Sequence, residues 1–304
     1  MMRHARGAAL LMAMLVAALA ATVAVALAAD QQRWLADVTH RRDQVQAQSL
    51  ALAGVQWARQ ILREDARGTS LDHLGEPWAF PLPATPIANG SIEGRIEDAQ
   101  ARFNLNALAR DDPAGIVERT RLARLFASKG VSPTLLGAIA DWVDVDSTPR
   151  ADGAEDDVYA QSSPPSLAAN APLIRTAEIT AVRGVNARTF AAVAPFVIAL
   201  PATTALNVNT ATAETLSAAL PDLRGDALAG LLAERARAPF TSLADFRLRL
   251  PRGVAFADEA TFSVSSSYFI VTVNSRQGDA VAQARALLKR DGRDYPTVVW
   301  QTLE

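Results

Sequence analysis

The first thirty residues restrict the architecture of all the rest. Arg3, His4 and Arg6 lead to Gly7, and an uncharged, almost wholly apolar run then extends from Ala8 to Ala29. Only Thr22 departs from its apolar character, and the first acid is Asp30. A run of about 22 such residues can cross a hydrocarbon core that needs roughly 20 residues of helix. The chain is expected to start in a membrane.

Three kinds of N-terminal segment fit that run. A cleaved secretory signal has a basic start and a small-residue cut site, and Ala26-Leu27-Ala28 before Ala29 offers one. The run is longer than the usual h-region of about 7–15 residues, however. A plain membrane anchor is the second reading. The third is a pilin-type leader, residues 1–7, cut after Gly7 so that Ala8 begins the mature chain. The residues beyond the run favour the third. From Asp30 to Arg63 there is no proline, and Gly54 is the only glycine. Leu35, Val38, Val45, Leu52, Val55, Ile61 and Leu62 recur at helical intervals between Arg and Gln. One helix is predicted to run from membrane (8–29) into solvent (30–66), a rod of roughly 80 Å at about 1.5 Å per residue. The positive-inside rule holds Arg3 and Arg6 in the cytoplasm. The chain then spans the inner membrane of a bacterial envelope once, with its body in the periplasm.

Composition narrows the chemistry. The sequence has no cysteine, which removes disulfides, thiolate catalysis and Cys-based zinc sites. The histidines are His4, His40 and His73, all near the N-terminus, so a His-based catalytic centre in the body is disfavoured and no enzyme is expected. The net charge of −2 is no polyelectrolyte signature.

The body reads as strands around a helical block. Residues 68–90 are rich in Pro, Gly, Thr and Ser and read as a loop. From Ser91 to Asp98, Ile92, Gly94, Ile96 and Asp98 alternate with Glu93, Arg95 and Glu97, as in a strand with one buried face. From Ile116 to Leu250 the signals are short, repeated helices. Lys129-Gly130-Val131-Ser132 opens one carrying Leu136, Ile139, Trp142 and Val143. Arg183-Gly184-Val185-Asn186 opens another carrying Phe190, Val193, Phe196 and Val197, in gapless alignment with the first. Arg224-Gly225-Asp226 opens a third. Val264, Tyr268 and Ile270, with Phe262, then suggest one face of a strand, and 281–289 and 297–302 suggest two more. The expected fold is α+β: a long N-terminal helix on a small antiparallel sheet (67–108 and 256–304), with an inserted all-α domain of helix-hairpin-helix or SAM-like repeats (109–255).

An acidic loop lies between the first two repeats, from Asp141 to Tyr159. Clustered carboxylates with backbone carbonyls can supply the six to eight oxygens calcium takes. Counting from Asp144, the first, third, ninth and twelfth positions are Asp144, Asp146, Asp152 and Glu155, a partial echo of the EF-hand loop. Pro149 at the sixth position and Arg150 at the seventh break the echo. The alternative is a solvated acidic loop. Trp142, Val145 and Tyr159 are expected to anchor it. With Asp156 and Asp157 added, the candidate calcium ligands are Asp144, Asp146, Asp152, Glu155, Asp156 and Asp157. A glycosidase carboxylate pair would need a cleft with flanking aromatics that nothing in the sequence marks.

Leu206-Asn207-Val208-Asn209-Thr210-Ala211, then Pro221 to Gly225, then Pro239 to Phe246 resemble the helix-hairpin-helix unit of DNA-uptake and repair proteins. That unit offers backbone N–H groups to phosphate. Here the hairpin has the single glycine Gly225, between Asp222 and Asp226. A membrane-anchored DNA-uptake protein is therefore the alternative reading, and a protein-packing module the preferred one.

Taken in order, the leader to Gly7, Phe103-Asn104-Leu105-Asn106, the Asp141–Tyr159 block with Gly153-Ala154-Glu155-Asp156-Asp157, and Leu206-Asn207-Val208-Asn209-Thr210-Ala211 resemble minor pseudopilin K of bacterial type II secretion, the general secretion pathway protein K family. The resemblance spans nearly the whole chain. It implies cleavage by a prepilin peptidase between Gly7 and Ala8, with methylation of the new amino terminus; Ala8 stands where pilins commonly have phenylalanine. It implies calcium in the acidic loop, and a trimer with minor pseudopilins I and J at the tip of a pseudopilus that supports export of folded proteins. The major pseudopilin and the inner-membrane secretion platform are further implied partners. Met12 falls at the fifth mature position, where major pilins carry a glutamate that neutralises a neighbour's amino terminus. A subunit with no neighbour above it has no use for that costly intramembrane carboxylate.

Overall fold

The computed structural model describes the backbone of residues 3–304 and the side chains of residues 9–304. Helix α1 (Arg3–Gly68) comprises 66 residues, about 99 Å at 1.5 Å per residue. It is followed by β1 (Leu82–Ile87), β2 (Gly90–Asp98) and β3 (Phe103–Asn104). A helical insert then contains α2 (Pro113–Ser128), α3 (Leu135–Val143), α4 (Asp156–Tyr159), α5 (Ala187–Val193), the short strands β4 (Val197–Ile198) and β5 (Leu206–Asn207), α6 (Ala213–Ala219), α7 (Gly225–Arg237) and α8 (Leu243–Arg249). The chain returns through β6 (Phe262–Ser263) to β7 (Tyr268–Gln277), β8 (Ala280–Lys289) and β9 (Thr297–Leu303).

The sheet is antiparallel throughout, in the order β1-β2-β7-β8-β9. Helix α1 packs on it through Ala47, Ala51, Val55, Ala58 and Leu62, a row spaced by whole helical turns. Phe269, Val271 and Val273 of β7 and Ala280, Ala282, Ala284, Ala286 and Leu288 of β8 face them. Small residues on both sides let helix and sheet approach closely. At Gly54 a Cβ would lie 2.6 Å from a methyl of Val273. Residues 9–28 of the helix are bare. Leu11, Met12, Leu15, Leu19 and Leu27 are all exposed, as a membrane-spanning segment requires.

Three differences from the sequence reading have physical causes. Residues 82–87, expected as loop, form β1. Pro83 and Pro86 are tolerated because β1 is an edge strand, with a register irregularity between Leu82 and Thr85. The strand read from Phe262 to Ile270 is broken at Ser265–Ser267. Phe262 is buried in the core of the insert, while Tyr268 and Ile270 face Ile198 and Leu200 across the seam between insert and sheet. β7 is therefore buried on both faces where it begins. The insert's core residues extend from Phe103 to Phe262, wider than 109–255.

The repeated openings share one geometry. Gly130 and Gly184 sit at φ +67° and +82°, the left-handed turn that a residue with a Cβ adopts only under strain. Asp112, Asn186, Thr212 and Ser242 cap their helices, each accepting a backbone N–H three residues on.

The insert sits at one end of the sheet. The β7–β8 turn at Gly278 lies against Asp43 of α1, and Arg290 just past β8 donates to Asp65 of α1 at 2.7 Å. Those 22 helical residues rise roughly 33 Å, which a ten-residue strand also spans. Since α1 climbs away from its apolar end, Asp98, where the chain enters the insert, is at the far end of the body from the apolar segment. The other sheet edge, β9, carries a bulge at Val299, because Leu287 pairs with Trp300 and Leu288 with Val298.

Candidate metal centre

Helix α3 delivers the first carboxylates. Its last turn buries Asp141, and Asp144 stands at its C-terminal cap, its N–H bonded to Ala140 O at 3.0 Å. The chain then leaves into solvent. Val145 is 84% exposed, so it anchors nothing, contrary to the sequence expectation. Asp146 accepts the N–H of Thr148 at 2.8 Å. At Arg150 the chain turns back onto Asp141. The backbone N–H of Arg150 reaches both Asp141 oxygens at 3.3 and 3.2 Å. Its guanidinium donates to Asp141 at 3.1 Å, to Asp111 at 2.9 Å and to Asp144. Arg150, which spoils the EF-hand count, is the loop's internal cation.

Two glycines make the reversal possible. At Gly153 a Cβ would lie 1.9 Å from Asp141 Oδ2, and at Gly137 a Cβ would lie 2.5 Å from Ala151 O. Buried Ala154 then leads to Glu155, which caps the start of α4. Tyr159 closes the unit. It stacks edge-on against Trp142 with ring centroids 5.1 Å apart, and its hydroxyl accepts the N–H of Arg183 at 3.1 Å.

The fold gathers Asp144, Asp146 and Glu155, whose carboxylate oxygens lie within 4.8 Å of one another. That spacing is about twice the 2.3–2.6 Å of a calcium–oxygen bond. Asp144 Oδ1 and both Glu155 oxygens are buried and have no hydrogen-bond partner among the described residues. Burial first, and then the charges of Asp141, Asp146 and Asp156, push the Glu155 carboxyl above its ordinary range. Buried, unpartnered carboxylate oxygens are costly, and a hard cation is what would satisfy them. These three carboxylates are of the type such an ion takes.

The remaining expected ligands are placed otherwise. Asp152 is exposed and holds a left-handed turn at φ +61°. Asp156 accepts the N–H of Ala168 at 2.9 Å, and Asp157 that of Val158 at 2.8 Å. Gly7 and Ala8 lie in the backbone of α1, but their surroundings fall outside the described side chains. Met12 is exposed on the apolar rod.

The asparagine stretches prove to be clamps. Asn104 accepts the N–H of Leu200 at 3.0 Å and donates to the carbonyls of Leu200 and Ala202. Asn106 exchanges bonds with both N–H and C=O of Leu173. Asn209 does the same with Phe240 at 2.8 and 3.0 Å. Each side-chain amide stands in for a strand partner. In the hairpin unit, Asp222 is exposed in the turn before α7 and Asp226 is exposed in the first turn of α7.

Sequence profiles of Type II secretion system (T2SS), protein K match residues 101–202 and 206–265. Type II secretion system protein K of Klebsiella pneumoniae is 33% identical over 309 aligned positions, covering 96% of this chain and 95% of that protein. The chain belongs to the type II secretion system protein K family. The protein K of Pseudomonas aeruginosa is 31% identical over 306 positions, covering 97% of this chain and 91% of its own length. A chain in the crystal structure of the GspK-GspI-GspJ complex from the enterotoxigenic Escherichia coli type 2 secretion system superposes with a TM-score of 0.78 at 27% identity, over 88% of this chain and 99% of that one. The first protein K profile covers the acidic loop and the clamp of Asn104 and Asn106; the second begins at Leu206, beside Asn207 and Asn209.

Proposed function

We propose that this chain is the minor pseudopilin that starts a type II secretion pseudopilus, joined there by minor pseudopilins I and J, and so supports export of folded proteins across the outer membrane. The observation that carries this reading is the position of the insert. It covers the end of the body farthest from the apolar segment, the end on which a subunit above would stack. Below it, the bare apolar half of α1 remains free to pack among other helices. Met12, where elongating subunits carry glutamate, agrees with a subunit that has none above it. The relative solved in complex with GspI and GspJ supports the choice of partners. The major pseudopilin would extend the fibre below, after prepilin peptidase cuts between Gly7 and Ala8 at the inner-membrane platform. The test is co-expression of the full chain with I and J in detergent extract. A ternary complex that survives size exclusion is expected; a chain that elutes alone would overturn the reading.

We further infer that calcium occupies the loop, held by Asp144, Asp146 and Glu155. The ion would offset two of these three negative charges, with Arg150 beside Asp144 for the third, and tie the end of α3 to the start of α4. Chelator should lower the melting temperature of the wild type by several degrees and leave Asp144→Ala unmoved. An identical melt with and without chelator in the wild type would remove calcium from the account.

A further inference from the structure

We propose that Asp98 is a proton-operated latch: its buried carboxylate fastens the helical insert to the sheet, and the fastening weakens when the carboxyl is ionised. The geometry is that of a joint. Asp98 ends β2, where the chain leaves the sheet, and is 5% exposed. Its Oδ1 accepts the N–H of Gln100 at 2.7 Å. Its Oδ2 accepts from Asn207 Nδ2 at 3.0 Å and Thr210 Oγ1 at 2.6 Å, both in the insert. It also accepts from Ser266 Oγ at 2.6 Å, where the chain returns to the sheet. One side chain therefore binds the exit, the insert and the re-entry.

Among the described residues no cation touches it. Arg290, past the end of β8, gives its charge to Asp72 at 2.6 Å and to Asp65 of α1 at 2.7 Å. Asp72 in the loop after α1 faces Asp98 through Ser266, whose N–H it accepts at 2.7 Å, and adds like charge. His73 and Glu76 of that loop bond each other, Glu76 also accepting from Trp78 Nε1. Glu97, beside Asp98 on β2, pairs with Arg102 and Arg95. On the insert side the charged group is Arg235, engaged by the carbonyls of Val208 and Ala211. The ionised carboxylate thus has neutral donors but no countercharge; burial and the charge of Asp72 favour the protonated form, and the donors oppose it. The protonated form keeps the joint intact, since the hydroxyls of Thr210 and Ser266 can turn to accept as well as donate.

Burial pushes the Asp98 carboxyl up to about 6, against the hydrogen bonds of Ser266, Thr210 and Gln100. An acid whose folded pKa is raised contributes stability that is full below its unfolded value and is lost as pH rises through the folded one. Between pH 5 and pH 7.5, a carboxyl moving from about 6 when latched to about 3.8 when open should raise the opening equilibrium about tenfold.

The test is hydrogen–deuterium exchange of the full chain in detergent, with calcium constant, at pH 5 and pH 7.5. Protection in peptides spanning 205–212 and 262–268 is taken relative to unfolded peptide at the same pH. The wild type should lose about tenfold of its protection at the higher pH, and Asp98→Asn should show none of that loss. Equal wild-type protection at both values, or a folded Asp98→Asn that keeps the tenfold change, would overturn the latch. If Asp98→Asn does not fold, Thr210→Val decides. Loss of one donor should move the midpoint to higher pH, and an unmoved midpoint overturns the proposal.

Discussion

Single side chains carry most of the information at the acidic loop and the clamps. Glu155 is the clearest case, a buried carboxylate with both oxygens unpartnered among the described residues. Its Gln variant should respond in opposite directions to conditions. With calcium, Glu155→Gln should melt lower than wild type; with chelator it should melt higher, because an uncompensated buried charge is gone. The raised carboxyl also fixes a pH dependence. Without metal, the stability Glu155 contributes is full at acid pH and lost as pH rises through its raised value. The melting temperature in chelator should therefore fall as pH rises above 4.5, the carboxyl's ordinary value, and fall by less in Glu155→Gln. Asn104→Ala should cost about 2 kcal/mol in urea titrations, since it strands the buried N–H of Leu200. The sequence marked these residues but not their roles. Asp144, Asp146 and Glu155 were legible as ligand types. Asp152, Asp156 and Asp157 looked equivalent to them, because composition does not show where the chain reverses at Arg150. The asparagines were visible only as repeated pairs, since their partners lie about 70 to 100 residues away for Asn104 and Asn106.

Elements were legible where their pattern is local. Helix α1, the alternation of β2 and the glycine-led helices all come from spacing within a dozen residues. β1 was hidden, because its prolines mark a loop unless the strand is known to lie at an edge. The broken strand before β7 was hidden too, because its apolar residues serve two different cores. The contact of α1 with the sheet makes a prediction at this scale. Gly54→Leu places a side chain where even a Cβ meets Val273 at 2.6 Å. Overpacking of that kind costs about 1–3 kcal/mol, which chemical denaturation of the full chain in detergent should show. Ala51→Gly, which only removes a methyl from the same face, should cost about 2 kcal/mol through helix propensity and lost burial.

At the scale of the whole molecule, the chain is a rod with a body on its upper half and an insert on top of the body. Intact-mass analysis of protein from cells with an active secretion system should find a chain beginning at Ala8; retention of Met1, or a cut after Ala28, would contradict the assembly reading. The sheet has a second consequence for such a subunit. β1 is interrupted by Pro83 and Pro86, and β9 by its bulge at Val299. A straight edge on either side would template another copy. Deleting Val299 should straighten β9 and produce concentration-dependent association visible by light scattering. In the native chain both sheet edges are broken, so a body held close to copies of itself gains no continuous sheet from them.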